Sequence, residues 1–271
     1  MVETPEVLRF RSDDELAQAV AVRLVTHLAD IQSEGRVPAV ALTGGSIAVK
    51  VHEAVARSVE KSTETTGHDR SGVDGAAGVD GAGVDWGLVD FWFGDERFVA
   101  ADNPDRNVGQ ARASMLDHLP VDPARVHVMA PSDGEYGDDL DAAAAAYGRE
   151  LQDSGAGELD VVMLGVGPDG HVASLFPGYP QLDREDAVAV AVRQSPKPPP
   201  ERISLTFSAL ERTRELWFVV AGADKSEAVR RAHDPATDVH ELPASRPRGR
   251  QRTLWFLDDG AASKLAQNEW F

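Results

Sequence analysis

Cysteine is absent from all 271 residues, so disulfides and thiolate chemistry are both excluded, which fits a reducing compartment. No stretch approaches the roughly 18 consecutive apolar residues of a membrane span, so no membrane partner is expected. Met1 to Phe10 carries no basic start followed by an apolar run, so it does not read as a signal peptide, and the cytoplasm is the expected location. Basic residues are the minority, 27 Lys and Arg against 45 Asp and Glu, for a formal charge of -18. A field of that sign repels nucleic acid and anionic lipid, and neither is expected as a partner. An anionic substrate would need a local cluster of cations and backbone N–H groups working against the global field.

What is present is an alternation of strand-like and helix-like stretches, with 42% hydrophobic residues to form a core. Ser12 and Glu15 read as a capping box, and Leu16, Val20, Leu24, Leu28 and Ile31 follow at helical spacing up to Gly35. The spacing predicts further helices over 47–58, 107–116, 138–151, 225–232 and 261–267. Short apolar runs predict strands at 37–42, 88–93, 126–129, 159–164, 187–192, 203–207, 216–220 and 253–257. Between Lys61 and Gly87 the units Gly72-Val73-Asp74, Gly78-Val79-Asp80 and Gly83-Val84-Asp85 repeat; three imperfect copies cannot stack into a core, so a flexible insertion is expected. The expectation is one α/β domain over residues 1–271, a monomer or small homo-oligomer, with a mostly parallel sheet covered by helices on both faces. In such sheets ligands bind beyond the carboxyl ends of the strands.

Four loops at those ends hold residues that packing does not require. Thr43-Gly44-Gly45-Ser46 joins a strand to a helix; its glycines permit close backbone approach and the helix start leaves N–H groups free for an anion, although an ordinary turn capped by Ser46 has the same appearance. Asp95-Glu96-Arg97 places three charges after Phe91-Trp92-Phe93, as either a binding element or a solvated turn with a local ion pair. In Ala221-Gly222-Ala223-Asp224-Lys225 the lysine stands at a helix start, where the macrodipole disfavours a cation, so its ammonium is either wanted for phosphate or simply a surface charge.

The remaining loop, Gly165-Val166-Gly167-Pro168-Asp169-Gly170-His171, matches the dinucleotide fingerprint at its three glycines. The context fails, because Pro177 and Pro180 cut short any helix, and no nicotinamide cofactor is expected. What is left is an acid, a glycine and an imidazole. Hydrolysing an ester near neutral pH needs a base that takes a proton from water, and histidine has the right unperturbed pKa; a nearby carboxylate can orient the ring. His52-Glu53 lacks the second histidine of a zinc helix, and no serine sits in a nucleophile elbow, so no metal is expected and water is the simplest nucleophile.

Together these motifs resemble the 6-phosphogluconolactonase family, from about Thr43 to Ala262. The most specific stretch is Gly165 to Gly178, continuing after His171 as Val172-Ala173-Ser174-Leu175-Phe176-Pro177-Gly178. Asp95-Glu96-Arg97, Arg202-Ile203-Ser204-Leu205-Thr206 and Leu242-Pro243-Ala244-Ser245 also match. Arg106 and Val108 depart from the family, which often has serine and an aromatic there. The resemblance implies a Rossmann-like three-layer α/β sandwich that hydrolyses 6-phospho-D-glucono-1,5-lactone in the pentose phosphate pathway without metal or other cofactor. On that premise His171 is the base and Asp169 orients it. The 43–46 loop, Arg97 and Lys225, with help from Arg202, hold the phosphate; Asp95 and Glu96 belong to the binding site, and N–H groups near Gly170 face the oxyanion.

Two rivals follow from the same scaffold. Glucosamine-6-phosphate deaminases share the glycine-glycine-serine and Asp-Gly-His loops, but continue after the histidine with an Ala-Phe-Asn-Glu run that this chain lacks. A non-catalytic sugar-phosphate sensor would need a DNA-binding segment, and no basic helix-turn-helix region is present.

Overall fold

A computed structural model of the chain describes residues 4–65, 83–155 and 158–266. A six-stranded parallel sheet is the frame, built from β1 (Glu6–Phe10), β2 (Ala39–Leu42), β3 (Asp90–Phe93), β5 (Leu159–Leu164), β8 (Thr213–Val220) and β9 (Arg252–Asp258) in the order β1-β9-β8-β5-β2-β3. A three-stranded antiparallel sheet, β4 (Asp95–Arg97), β7 (Arg202–Leu205) and β6 (Ala189–Val192), abuts it in the order β4-β7-β6.

Successive strand residues point to opposite faces, and the two faces have separate cores. Val40, Leu42, Phe91, Phe93, Trp217, Leu254 and Phe256 pack beneath α1 (Asp13–Ser33), α2 (Ser46–Thr65) and α3 (Asn107–Ser114). Ala41, Trp92, Val162, Leu164, Phe218 and Trp255 face α4 (Leu140–Asp153), α5 (Phe207–Leu210), α6 (Ser226–Ala232) and the small sheet. Each large apolar side chain sealed here contributes about 1.5–3 kcal/mol relative to exposure. The layers are thus helices, a parallel sheet, then helices with a second sheet.

Helix α1 begins as its sequence predicts, with the Ser12 hydroxyl accepting from the Glu15 N–H at 3.2 Å. Several expectations need correction. Residues 126–129 form only one bridge, Val126 to Phe91, made by His127 N–H on Phe91 O (2.8 Å); farther along β3 the buried Tyr147 hydroxyl takes up both the N–H and the O of Phe93. Asp95–Arg97 is a strand rather than a loop, since it pairs with β7. Glu6–Phe10, not foreseen as a strand, lies on the edge against β9. Residues 261–266 make turns, not a helix.

Helix α2 extends to Thr65, beyond the expected stop near Ser58. The repeats at 72–82 lie outside the described residues. From residue 83 the chain is back in the fold: Val84 and Trp86 are buried, and Asp85 exchanges hydrogen bonds with the Gln32 side chain at 2.9 and 2.8 Å.

The sheet order reverses at β2, whose successor β3 lies on one side and whose other neighbour β5 comes later in the chain. The crevice beyond the carboxyl ends of β2 and β5 is therefore the expected ligand position. The 43–46 and 165–171 loops both open into it.

Candidate active site

The crevice is a cleft of about 330 Å³, of a size for one small polar ligand. Thr43, Gly44, Gly45 and Ser46 form one wall, and Asp95, Arg97, Asn107, His171, Lys197, Arg202 and Lys225 complete it. All four loops singled out from the sequence contribute, because all four follow parallel strands and must emerge on one edge.

One of the lining residues is the histidine. Asp169 Oδ1 accepts from His171 Nδ1 at 2.5 Å, which leaves Nε2 as the ring's basic atom. Burial opposes ionisation of Asp169, but the hydrogen bond from His171 and the charges of His171 and Lys197 outweigh it, holding the carboxyl at about 2. Gly167 is required for this geometry: a Cβ there would collide with the imidazole. Gly170 turns the loop at φ +82, and any side chain on it would strike Leu242. Its N–H donates to Gly167 O at 2.9 Å, and the Gly167 N–H donates to His171 O at 3.0 Å. Of the N–H groups near Gly170 expected to face an oxyanion, those of Gly167 and Gly170 are engaged within the tight turn itself.

In the 43–46 wall, α2 starts at Ser46 with its first bond running from Val49 N–H to Gly45 O, so the N–H groups of its first turn have no helical partner. No acidic residue occupies that turn. Thr43 Oγ1 accepts from Gly165 N–H at 3.3 Å and ties the two central loops together. Arg97 reaches the cleft from β4 and donates to Asn107 Oδ1. Lys225 also lines the cleft, its Nζ 2.6 Å from Asp224 Oδ2.

Asp95 and Glu96 are neighbours with opposite orientations, as residues of a strand must be. Asp95 lines the cleft and is anchored by the Ser174 hydroxyl (2.6 Å) and Asn107 Nδ2 (3.2 Å). Glu96 turns away, which corrects its place among the ligand-binding residues. Its carboxylate accepts the N–H groups of Asn107 (2.7 Å) and Val108 (2.9 Å), capping α3 beside Arg106. Burial pushes its pKa up, and those N–H donors act against that shift. Arg202 also proves different: its guanidinium donates to the carbonyls of Lys197, Pro198 and Pro199 at 3.1–3.3 Å and lies over the Phe176 ring. It clamps the 197–200 segment, although it borders the cleft.

Two residues of the cleft escaped sequence reasoning. Asn107 had been read only as a helix start; it bridges Arg97 and Asp95. Lys197 had been passed over within Pro196-Lys197-Pro198-Pro199-Pro200, where a cation embedded in a proline run was the available signal. Its Nζ stands 3.5 Å from His171 Nδ1 and 3.8 Å from Asp169 Oδ1. Among the described residues no group of three or more His, Cys, Asp or Glu is arranged to hold a metal.

Residues 11–255 match the family described as glucosamine-6-phosphate isomerases/6-phosphogluconolactonase. The chain is 42% identical to a 6-phosphogluconolactonase of Streptomyces coelicolor over 275 residues, covering 99% of this chain and 97% of that protein. A 6-phosphogluconolactonase of Mycobacterium tuberculosis is 46% identical over 187 residues, covering 67% of this chain and 75% of that protein. The solved 6-phosphogluconolactonase of Trypanosoma brucei superposes with a TM-score of 0.73 at 27% identity, covering 98% of this chain and 100% of that one. A monomeric glucosamine-6-phosphate deaminase superposes at 0.72 with 17% identity, covering 95% of this chain and 99% of that one, a likeness that shows the fold alone.

Proposed function

The chain belongs to the glucosamine-6-phosphate isomerase/6-phosphogluconolactonase family, and from that membership we infer a lactonase: it hydrolyses 6-phospho-D-glucono-1,5-lactone to 6-phospho-D-gluconate in the pentose phosphate pathway. The relatives named for lactone hydrolysis at 42 and 46% identity favour this over deamination. The observation that carries the mechanism is the Asp169–His171 pair at the mouth of a cation-lined cleft.

The phosphate lies against the Thr43–Ser46 loop and the first turn of α2, with Arg97 and Lys225 supplying positive charge. That puts the lactone ring toward His171. Nε2 takes a proton from water as the water oxygen bonds to the carbonyl carbon. The carbonyl oxygen becomes negative, and the intermediate collapses with cleavage of the bond to the ring oxygen, which receives the proton held by His171. Asp169, ionised throughout the working range, keeps the proton on Nδ1 and stabilises the transient imidazolium.

Asp95 does not act as a nucleophile; the Ser174 hydroxyl and Asn107 amide hold it as an acceptor facing the sugar. The reading carries with it one catalytic domain, a cytoplasmic location, a monomer or small homo-oligomer, and no nucleic-acid or membrane partner. The charge of -18 supports the last of these, and among the described residues no helix is long and apolar enough to cross a membrane.

The test is lactone disappearance with the substrate made in situ and spontaneous hydrolysis subtracted. Wild type should exceed background strongly and His171→Ala should not; a folded wild type that merely matches background rejects the lactonase, and ammonia release from glucosamine 6-phosphate would then install the deaminase.

A further inference from the structure

Hydrolysis at this site leaves one group without a partner: the carbonyl oxygen that becomes negative near His171. The turn N–H groups of Gly167 and Gly170 are engaged within their own loop, and the Ser174 N–H donates to Ser204 Oγ at 3.2 Å. Of the cleft's cations, Arg97 is bonded to Asn107, Arg202 to backbone carbonyls, and Lys225 to Asp224 at 2.6 Å. Lys197 differs from all of them. Its Nζ is the cation beside the imidazole, and its nearest carboxylate oxygen, on Asp169, is 3.8 Å away, beyond hydrogen-bond distance.

We propose that Lys197 is a catalytic residue of the reacting end: its ammonium receives the charge that develops on the lactone carbonyl oxygen while Asp169 and His171 handle the proton. This rests on the lactonase reading and deepens it by dividing the cations between two tasks, Arg97 and Lys225 for the phosphate and Lys197 for the transition state. The segment is built to hold it. Ser195 Oγ donates to Lys197 O at 2.9 Å and accepts the Lys197 N–H at 3.3 Å, Arg202 also donates to Lys197 O at 3.1 Å, and Ser195 N–H donates to Pro200 O at 2.9 Å. A donor fixed in advance loses little by reorganisation when charge appears. Partial burial pushes the ammonium's pKa down, with Asp169 opposing and Lys225 and Arg202 reinforcing that shift.

The experiment compares wild type, Lys197→Met and Lys197→Arg on the phosphorylated lactone, with kcat and KM separated. In Lys197→Met kcat should fall roughly 10²–10³-fold, the usual loss of one such donor, with KM nearly unchanged. Lys197→Arg should recover part of that loss. A loss confined to KM, an undiminished kcat in folded Lys197→Met, or equal losses in Met and Arg variants would overturn the proposal. If wild type itself fails to outrun spontaneous hydrolysis, the lactonase reading falls and takes this one with it. That result is distinct from an active wild type indifferent to Lys197.

Discussion

The two edges of the parallel sheet are both rich in charge, yet they use it in opposite ways. At the amino edge, cations and carboxylates neutralise one another. Asp160, buried at the start of β5, is bonded to Arg36 and lies 3.5 Å from Arg214; Arg214 and Arg250 meet Glu158 at 3.3 and 3.0 Å, and Arg252 meets Glu6 at 2.8 Å. At the carboxyl edge, Arg97, Lys197, Arg202 and Lys225 line one cleft whose only lining carboxylate among the described residues is Asp95. A protein of charge -18 thus keeps a local positive field where a phosphate must be drawn in. Number of charges does not distinguish a site from a scaffold; an excess of lining cations over lining carboxylates, beside unpaired backbone N–H groups, does.

Mutation at the two edges should break along that line. The largest effect belongs to His171→Ala, which should lower turnover roughly 10²–10⁴-fold while leaving the melting temperature close to wild type. A variant that keeps near-normal kcat would remove His171 from the mechanism. Arg97→Ala should mainly raise KM, by roughly 10–100-fold for loss of one charge-assisted contact to phosphate; unchanged kinetics would place the phosphate elsewhere in the cleft.

The amino edge should respond in stability alone. Asp160→Ala removes the acceptor of the Ala39 N–H (3.0 Å) and the partner of two arginines, and should cost about 1–3 kcal/mol in chemical denaturation with KM unchanged. The arginines are each about one-third exposed and can turn to water, which keeps the loss moderate.

A buried group away from both edges separates stability from activity by pH. His52, between α2 and α3, is held at about 4 by desolvation, with Nδ1 near Ser114 Oγ at 3.2 Å. Its folded pKa lies below the unfolded 6.5, so below pH 6.5 the unfolded chain binds a proton that the native state refuses. The native state therefore loses stability progressively between pH 6.5 and about 4, and this penalty is absent above that window. The total is of the order of 3 kcal/mol. Denaturant midpoints for His52→Gln should decline less over that range than wild type; parallel declines would exclude His52 as the cause. The smallest effect is ionic: raising salt from 0.05 to 0.5 M should raise KM about severalfold by screening the cleft, while the melting temperature shifts little.

Much of this was legible in the sequence because it depends on local pattern. Apolar runs announced the buried parallel strands, Ser12 and Glu15 announced the start of α1, and loops that follow parallel strands must share one edge. That rule alone brought residues 43–46, 95, 97, 165–167, 171 and 225 to a common cleft. It also explains why the Asp-Gly-His loop stood out: packing requires neither its acid nor its imidazole.

What the chain order could not express is which way each group turns and what it meets. Asp95 and Glu96 are equivalent as letters; pairing of β4 with β7 sends one carboxylate to the cleft and the other to the end of α3. Arg202 looked like a phosphate ligand until the fold showed three backbone carbonyls around its guanidinium. Lys197, 26 residues from His171 in sequence, is brought within 3.5 Å of it only by the turn that Arg202 clamps. Local propensity and hydrophobic period fix elements and their shared edge. Long-range hydrogen bonds and burial decide which charges remain free to act, because they depend on neighbours that sequence distance does not measure.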